Sequence, residues 1–370
     1  MVIIGCVKEI KVNENRVGIV PGNHEFKDYG RVKGVVDLAG HGHEILLDWN
    51  LCYKQFKFGT YRNTPARFAD PYLVYQQSEL LVKVKEPVDI EYGHLGKMKA
   101  GAMLFAFLHL TGSPKRLTEL LLAHNITGID YSTVRLGDEL PILKPMSRIA
   151  GDLAVSEGIK YLKRKPRNIA IIGGGNVGEG AVKSAIETKL NVIVIEKSEQ
   201  KRACLQKAYP NISVMTPDET ELAESIKTAD IVVGAVLSKA GAKPPKVVTK
   251  QMVRTMKKGS VIVDVAIDQG GCIEGSRPTT YDQPIYSEEG IIYYCVTNIP
   301  GGVPERSLPA LADSTIEYII SLADNGLKGA INKFPGFKDG VNTYNGKLTN
   351  KTVAETFGME YTPLEELIDF

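Results

Sequence analysis

The stretch 168–197, NIAIIGGGNVGEGAVKSAIETKLNVIVIEK, narrows the folds open to this chain more than any other. Ile169 to Ile172 form a short apolar run that ends in Gly173-Gly174-Gly175-Asn176-Val177-Gly178, after which Ala181, Val182, Ala185 and Ile186 recur at helical spacing. The pattern predicts a strand, a tight turn and a helix. A second apolar run, Val192 to Ile195, ends in Glu196, about 20 residues past the first glycine, where an acid can take both ribose hydroxyls of an adenosine. Gly173 permits the turn, Gly175 lets the backbone approach a pyrophosphate, and Gly178 lets the helix lie close on its strand. Asn176 and Val177 open that helix, whose N-terminus is an anion site. A glycine pattern alone carries little, but strand, turn, helix, second strand and terminal acid in this order specify a dinucleotide site. Glu196 also disfavours a cofactor phosphorylated on that ribose, with Lys197 beside it as the opposing charge.

At 370 residues and 43% hydrophobic content the chain is long enough for two substantial cores. The formal charge of +2, with Lys and Glu interspersed, offers no basic field for nucleic acid. No apolar run approaches the roughly 20 residues needed to cross a membrane. The start MVIIGCVKEI reads as a strand, not a targeting signal. Cys6, Cys52, Cys204, Cys272 and Cys295 form no CxxC pair, which argues against a disulfide framework or a zinc site and for a reduced, cytoplasmic protein.

Strands are expected at Val2–Cys6, Val17–Val20, Glu44–Leu47, Glu79–Val84, Ala102–Leu108 and Thr127–Tyr131, with a helix over Pro114–Ala123. Residues 53–70 show no periodicity. A helix runs from Ser147 until Lys163-Arg164-Lys165-Pro166 stops it, and after the nucleotide unit strands are expected at Ile231–Leu237, Ser260–Ala266 and Tyr293–Thr297. A helix over Pro309–Asn325 and one near Leu364 follow. The expected fold is α/β, with two Rossmann-like doubly wound parallel-sheet domains and a cleft between them. Residues 132–300 form the nucleotide domain, and residues 1–131 join 301–370 in a discontinuous substrate domain, because the segment after Pro300 lacks the strands for its own core.

Four further segments carry polar residues suited to chemistry. Lys8-Glu9-Ile10 with Asn13-Glu14-Asn15-Arg16-Val17 presents Arg16, a side chain suited to bidentate capture of a carboxylate. In Val82-Lys83-Val84-Lys85-Glu86-Pro87, alternation puts Lys83 and Lys85 on the same side of a strand, at the end where ligands bind an α/β sheet. His109 closes the apolar run Phe105-Ala106-Phe107-Leu108, where a satisfied structural histidine competes with a catalytic one. Asp268, in Asp264-Val265-Ala266-Ile267-Asp268-Gln269-Gly270-Gly271, stands just past a strand, with a turn aspartate as the alternative.

Together these segments resemble the alanine dehydrogenase family, whose relatives include the nucleotide-binding part of proton-translocating transhydrogenase. KEIKVNENRVGIVP, LLVKVKEP, FAFLHL, LPILKPMS, GGGNVG, ADIVVGAVL, GSVIVDVAIDQGGCIEGSRPTTYD and YCVTNIPGGVP, spread over most of the chain, carry the resemblance. It departs at GHEILLDWNLCYKQFKFG, which stands where the family usually has a glycine-rich loop. The resemblance implies reversible NAD-dependent oxidative deamination of L-alanine to pyruvate and ammonium. By it Arg16 and Lys85 hold the substrate carboxylate and carbonyl oxygen, His109 is the acid/base, and Asp268 assists the carbinolamine steps. Ser147, Glu196, Ala235, Val236, Leu237, Ile267 and Asn298 line the cofactor and substrate cleft, with Asn298 also touching substrate. The resemblance further implies a homo-oligomer, a hexamer.

Proton transfer in such chemistry calls for a group that titrates near neutrality, as imidazole does at about 6.5. No metal is required, and His41-Gly42-His43-Glu44 reads as a loop entering a strand. Two alternatives remain at this point: a transhydrogenase-type module that exchanges hydride with a partner protein, and a related amino-acid dehydrogenase of the saccharopine dehydrogenase type.

Overall fold

The computed structural model describes residues 1–51, 58–236 and 244–369. It divides into two compact units, Met1–Pro145 with Val303–Phe370, and Met146–Gly302. Residues 132–145 thus group with the first unit, where sequence reasoning had assigned them to the nucleotide domain. Arg135 N donates to Gly336 O at 3.0 Å, and the backbone of Gly340 lies so close to Val134 that a Cβ would stand 2.7 Å from its side chain.

In the second unit the strands lie in the spatial order Ser213–Met215, Asn191–Ile195, Asn168–Ile172, Ile231–Gly234, Val261–Asp264, Ile291–Tyr294, Ile285–Glu288. All pairs are parallel except the last. Numbered along the chain within the unit, the parallel strands run 3-2-1-4-5-6, the doubly wound dinucleotide-binding order. Strand alternation sends Ile169, Ile171, Val192, Val194, Val233 and Val263 to one face, against Val177, Ala181, Ala185 and Ala154. Ala170, Ile172, Val232 and Ile262 go to the other, against Leu222, Ile226, Met252 and Val253. Both faces are buried, so these strands read as continuous apolar runs.

The first unit repeats that order. Arg67–Ala69, Glu44–Asp48, Ile3–Cys6, Leu80–Lys85, Met103–Phe107 and Thr127–Asp130 are parallel, and Val341–Tyr344 and Lys347–Leu348 extend the sheet antiparallel at the Thr127–Asp130 edge. In each unit, therefore, chains leaving strands 1 and 4 diverge at a switch point whose carboxyl-end crevice receives ligands.

Several expected elements differ. Val17–Val20 is a loop, apolar because it is buried: a Cβ on Gly18 would stand 2.7 Å from Val82 O, while Ile19 O accepts from Tyr61 Oη and Val20 O from Val35 N. The helix expected from Ser147 starts earlier, spanning Leu143–Tyr161, with Pro145 in its first turn where no N–H is missed. Val261–Asp264 ends sooner because residues Val265–Gln269 turn into a 3-10 helix. The C-terminal helix spans Pro304–Lys333 and breaks at Gly326, φ 65°. Near Leu364 there is one 3-10 turn, and the terminal helix lies at Lys351–Phe357, capped by Asn350. Leu237, expected in a strand and at the cofactor, and Cys52 lie outside the described residues.

Glycines weld Leu143–Tyr161 to Asn176–Glu187. A Cβ on Gly151 would stand 2.0 Å from Val177 O, and one on Gly180 2.3 Å from Arg148 O. Both obstacles are backbone, which cannot step aside. Gly151→Ala is therefore expected to destabilise the nucleotide-binding unit by about 1 to 3 kcal/mol. A urea midpoint equal to wild type would show that the helices are not held at this spacing.

Candidate functional site

The glycine turn of the second unit uses its glycines in different ways. Gly173 has φ +106°, and a Cβ there would stand 2.6 Å from Ala235 O. A Cβ on Gly178 would stand 2.0 Å from Gly173 O, so the helix Asn176–Glu187 leaves its strand as closely as backbone permits. Gly175, which caps that helix at φ −78°, needs no glycine on either ground, since a Cβ there would meet nothing within 4 Å among the described residues. The space over Gly175, at the N-terminus of a 12-residue helix beginning with Asn176 and the buried Val177, fits a phosphate group.

Glu196, buried at the end of Asn191–Ile195, accepts from Gly174 N through Oε2 and from Ser198 N through Oε1, each at 2.7 Å. Each oxygen keeps a lone pair for a sugar hydroxyl. Arg202, passed over in sequence, donates to Glu196 O and Lys197 O at 2.9 Å and adds a second cation beside Lys197. Ala235 and Val236 follow the strand Ile231–Gly234, with Ala235 N on Ile172 O at 2.8 Å, and Ser147 is buried on Leu143–Tyr161.

Ile267 is buried in the 3-10 turn, while Asp268 is exposed there and accepts from the backbone N of Asn298 at 3.0 and 3.3 Å. That bond holds Asn298 in the left-handed region at φ 54°, a conformation rare for a residue with a side chain. Asp264 organises the rest of the loop. Its carboxylate accepts from Cys272 N at 3.0 Å and Ile273 N at 3.1 Å, and burial raises its pKa. The recognised acid Asp268 thus sits on a loop folded by another acid four residues earlier.

At the carboxyl ends of strands in the first unit stands a cluster of charges around His109. Arg16 gives Nε and Nη2 to Glu14 at 2.7 and 2.5 Å, both side chains being almost fully buried. Lys83 and Lys85 do not share an environment as alternation implied. A register shift between Val82 and Lys85 breaks the two-residue repeat. Lys83 is wholly buried between Glu91 at 2.8 Å and Glu9 at 3.3 Å. Burial works against its charge, but those two carboxylates hold its pKa above the usual value. Lys85 lies with Nζ 5.8 Å from the centre of the Phe107 ring. Lys11 bonds Glu86 through Oε1, while Glu86 Oε2 is buried with no hydrogen-bond partner among the described residues.

His109 follows Met103–Phe107 in a left-handed conformation, φ 44°, strain that surrounding contacts must hold. Asp130 Oδ2 accepts from its backbone N at 2.8 Å, and its ring stacks on Phe107 at 5.5 Å. The imidazole does not titrate near neutrality. Burial first, then the Lys85 ammonium, with Lys11 and Arg16 adding to it and Glu86 opposing, push its pKa down to about 3. The residue is half-buried, and Lys85, Lys11 and Arg16 act in the same direction as burial. At neutral pH the ring is a neutral acceptor. Among the described residues no three His, Cys, Asp or Glu gather as metal ligands, and His41 and His43 instead bond Asp324 at 3.1 and 2.7 Å.

Residues 5–150 match the family described as alanine dehydrogenase/PNT, N-terminal domain, and residues 154–351 its C-terminal domain. The alanine dehydrogenase of Methanococcus maripaludis is 38% identical, over 99% of this chain and 100% of that protein. That of Bacillus subtilis is 37% identical, over 99% and 97%. A solved L-alanine dehydrogenase superposes with a TM-score of 0.84 at 33% identity, covering 96% of this chain and 99% of that one. A transhydrogenase from Sinorhizobium meliloti shares the fold, with a TM-score of 0.78 at 19% identity over 95% and 99%.

The displaced imidazole pKa has a consequence for stability. Between about 3 and 6.5 the unfolded chain binds a proton at His109 that the folded chain does not, so this contribution is complete above 6.5 and lost as pH falls through that window. Glu9, pushed up to about 7, acts oppositely, favouring the folded state below 4.5 and losing that contribution as pH rises to about 7. The difference between wild type and His109→Asn isolates the first effect. Wild type should lose more stability than the variant between pH 7 and 4 in urea titrations, and a constant difference would refute the assigned direction.

Proposed function

Because the chain belongs to the alanine dehydrogenase/PNT family, we propose that it interconverts L-alanine with pyruvate and ammonium, using NAD. The observation that carries the reading is the cluster at the carboxyl ends of the first unit's strands, where Arg16 and Lys85 act electrostatically on a neutral, backbone-anchored His109. This is the crevice position in which doubly wound sheets bind small molecules.

Arg16 and Lys85 hold the substrate carboxylate and carbonyl oxygen, and such charge-assisted bonds contribute about 1.5 to 3 kcal/mol each. In the ligand-free site the depressed pKa keeps His109 unprotonated but weakly basic, and a substrate carboxylate on Lys85 and Arg16 offsets charges that depress it, so that its ring nitrogen can accept a proton from the substrate ammonium group or from the attacking water. Glu86 Oε2 offers an acceptor for the amine hydrogens. Asp268 and Asn298 assist at the carbinolamine stage. When bound, the nicotinamide supplies the hydride acceptor in deamination and the donor in amination. The turn Gly173–Gly178 takes its pyrophosphate and Glu196 its adenosine ribose, with Ser147, Ala235, Val236 and Ile267 as further lining. The Glu196 carboxylate favours NAD over its phosphorylated analogue, with Lys197 and Arg202 opposing it.

A transhydrogenase-type module would have no small substrate for Arg16, Lys85 and His109 to hold, and a saccharopine-type enzyme would differ in the substrate side chain it admits. We assign the protein to the cytoplasm as a homo-oligomer, hexameric like the family it resembles. A monomer mass by light scattering would overturn the assembly. No helix of the described residues is long and apolar enough to cross a membrane.

A panel of oxo acids with ammonium and NADH, followed at 340 nm as a standard assay, tests the function. Pyruvate should be reduced well ahead of larger oxo acids, and no turnover with any of them would sink the reading. His109→Asn should keep NADH binding while turnover falls by roughly 100-fold or more. Wild-type alanine turnover in that variant would move the acid/base role elsewhere, first to Asp268. Glu196→Ala should weaken NADH and narrow its advantage over NADPH. Equal affinity of wild type for both cofactors would mean that Arg202 and Lys197 steer a phosphate.

A further inference from the structure

In the first unit the strand Ile3–Cys6 ends level with Val82, so the last residues of Leu80–Lys85 have no strand beside them on that edge. On the other edge the register shift sets Val82 to Lys85 against only Phe105 to Phe107. A bulge of this kind frees backbone donors from the ladder. Both Val84 and Lys85 send theirs to one side chain. Glu9 Oε1 accepts from Val84 N at 2.7 Å, and Oε2 accepts from Lys85 N at 3.3 Å.

Val84 N and Lys85 N each take a different oxygen of one carboxylate, and Gln does not match this because one of its two terminal atoms is a donor. Burying that carboxylate requires a counter-charge. Lys83 supplies it at 3.3 Å and is anchored in turn by Glu91 at 2.8 Å. Glu91 is fixed by the Tyr75 hydroxyl at 2.7 Å and by Val88 N at 3.0 Å. A closed chain of charged and polar groups therefore ends on the backbone of the residue that presents an ammonium next to His109.

We propose that Glu9 is a positioning residue, whose carboxylate, with Lys83 as counter-ion, fixes the bulge at Val84 and Lys85 and so sets where the Lys85 ammonium meets the substrate. The inference rests on the reading of Lys85 given above. Glu9 acts here through the Val84 and Lys85 amides and through Lys83. Burial, with the neighbouring carboxylates of Glu14 and Glu91, pushes its pKa up to about 7, while Lys83 and the Val84 amide act the other way and favour the carboxylate.

The test compares Glu9→Gln with Lys85→Met in the full-length enzyme. Glu9→Gln leaves Lys83 paired with Glu91, keeps one acceptor oxygen and loses the second. The KM for pyruvate should rise roughly tenfold, kcat should change by less than about threefold, and the KM for NADH should stay within about twofold. A purely structural role would lower the urea midpoint and leave those ratios alone. A pyruvate KM within twofold of wild type in folded Glu9→Gln, with a raised KM in Lys85→Met, overturns the inference and spares the reading of Lys85. An unchanged pyruvate KM in Lys85→Met overturns both. Should Glu9→Gln fail to fold, the double variant Glu9→Gln with Lys83→Gln removes both charges together, and the same KM split decides.

Discussion

Two neighbouring parallel strands whose chains leave for opposite faces of a sheet create a crevice in which backbone groups lose their ladder partners, and both units of this protein depend on how that crevice is closed. In the second unit backbone closes it. Ala235 N returns to Ile172 O, and Gly173 passes so near Ala235 O that no side chain fits between them. What remains open is the space above Gly175 and the first turn of the helix Asn176–Glu187. In the first unit a side chain closes the crevice, with Glu9 standing where a strand would continue. The same strand order thus yields an anion cradle made of amides in one unit and a cluster of ionised side chains in the other.

The difference explains what could be read from sequence. Both sheets were legible, because strands buried on two faces appear as uninterrupted β-branched runs such as Ile169 to Ile172 and Val261 to Val263. The glycine turn was legible as well, since each glycine answers a separate steric or ligand requirement over a fixed spacing. The edge strands Ile285–Glu288, Val341–Tyr344 and Lys347–Leu348 were not, being short and lacking a run of apolar residues to mark them. Val17–Val20 misled for the converse reason, because burial under Tyr61 and Val35 produces an apolar run without a ladder.

The polar cluster was only half legible. Arg16, Lys85 and His109 stand out by residue type, but the roles of Glu9 and Asp130 come from partners that no local spacing encodes, such as Glu9 on Val84 N, 75 positions away. Lys83 and Lys85 show the limit most clearly. Period-two alternation treats them as equivalent, while the bulge gives one to a buried carboxylate pair and the other to the Phe107 ring.

Charge balance in that cluster bears on both directions of the reaction. Lys11, Arg16, Lys83 and Lys85 are matched by Glu9, Glu14, Glu86 and Glu91, yet burial, with Lys85, Lys11 and Arg16 adding to it against Glu86, keeps the imidazole neutral. Alanine arrives as a zwitterion and adds no net charge, so the ring stays in the base form that deamination requires. Pyruvate arrives as an anion, and its carboxylate, held as proposed by Arg16 and Lys85, would offset two of the charges that add to burial in depressing the imidazole pKa. On the proposed reading, binding the oxo acid would raise that pKa and move His109 toward the protonated form that amination requires. On that reading one set of fixed charges, through the difference in charge between the two substrates, would prepare the same ring as a base in one direction and as an acid in the other.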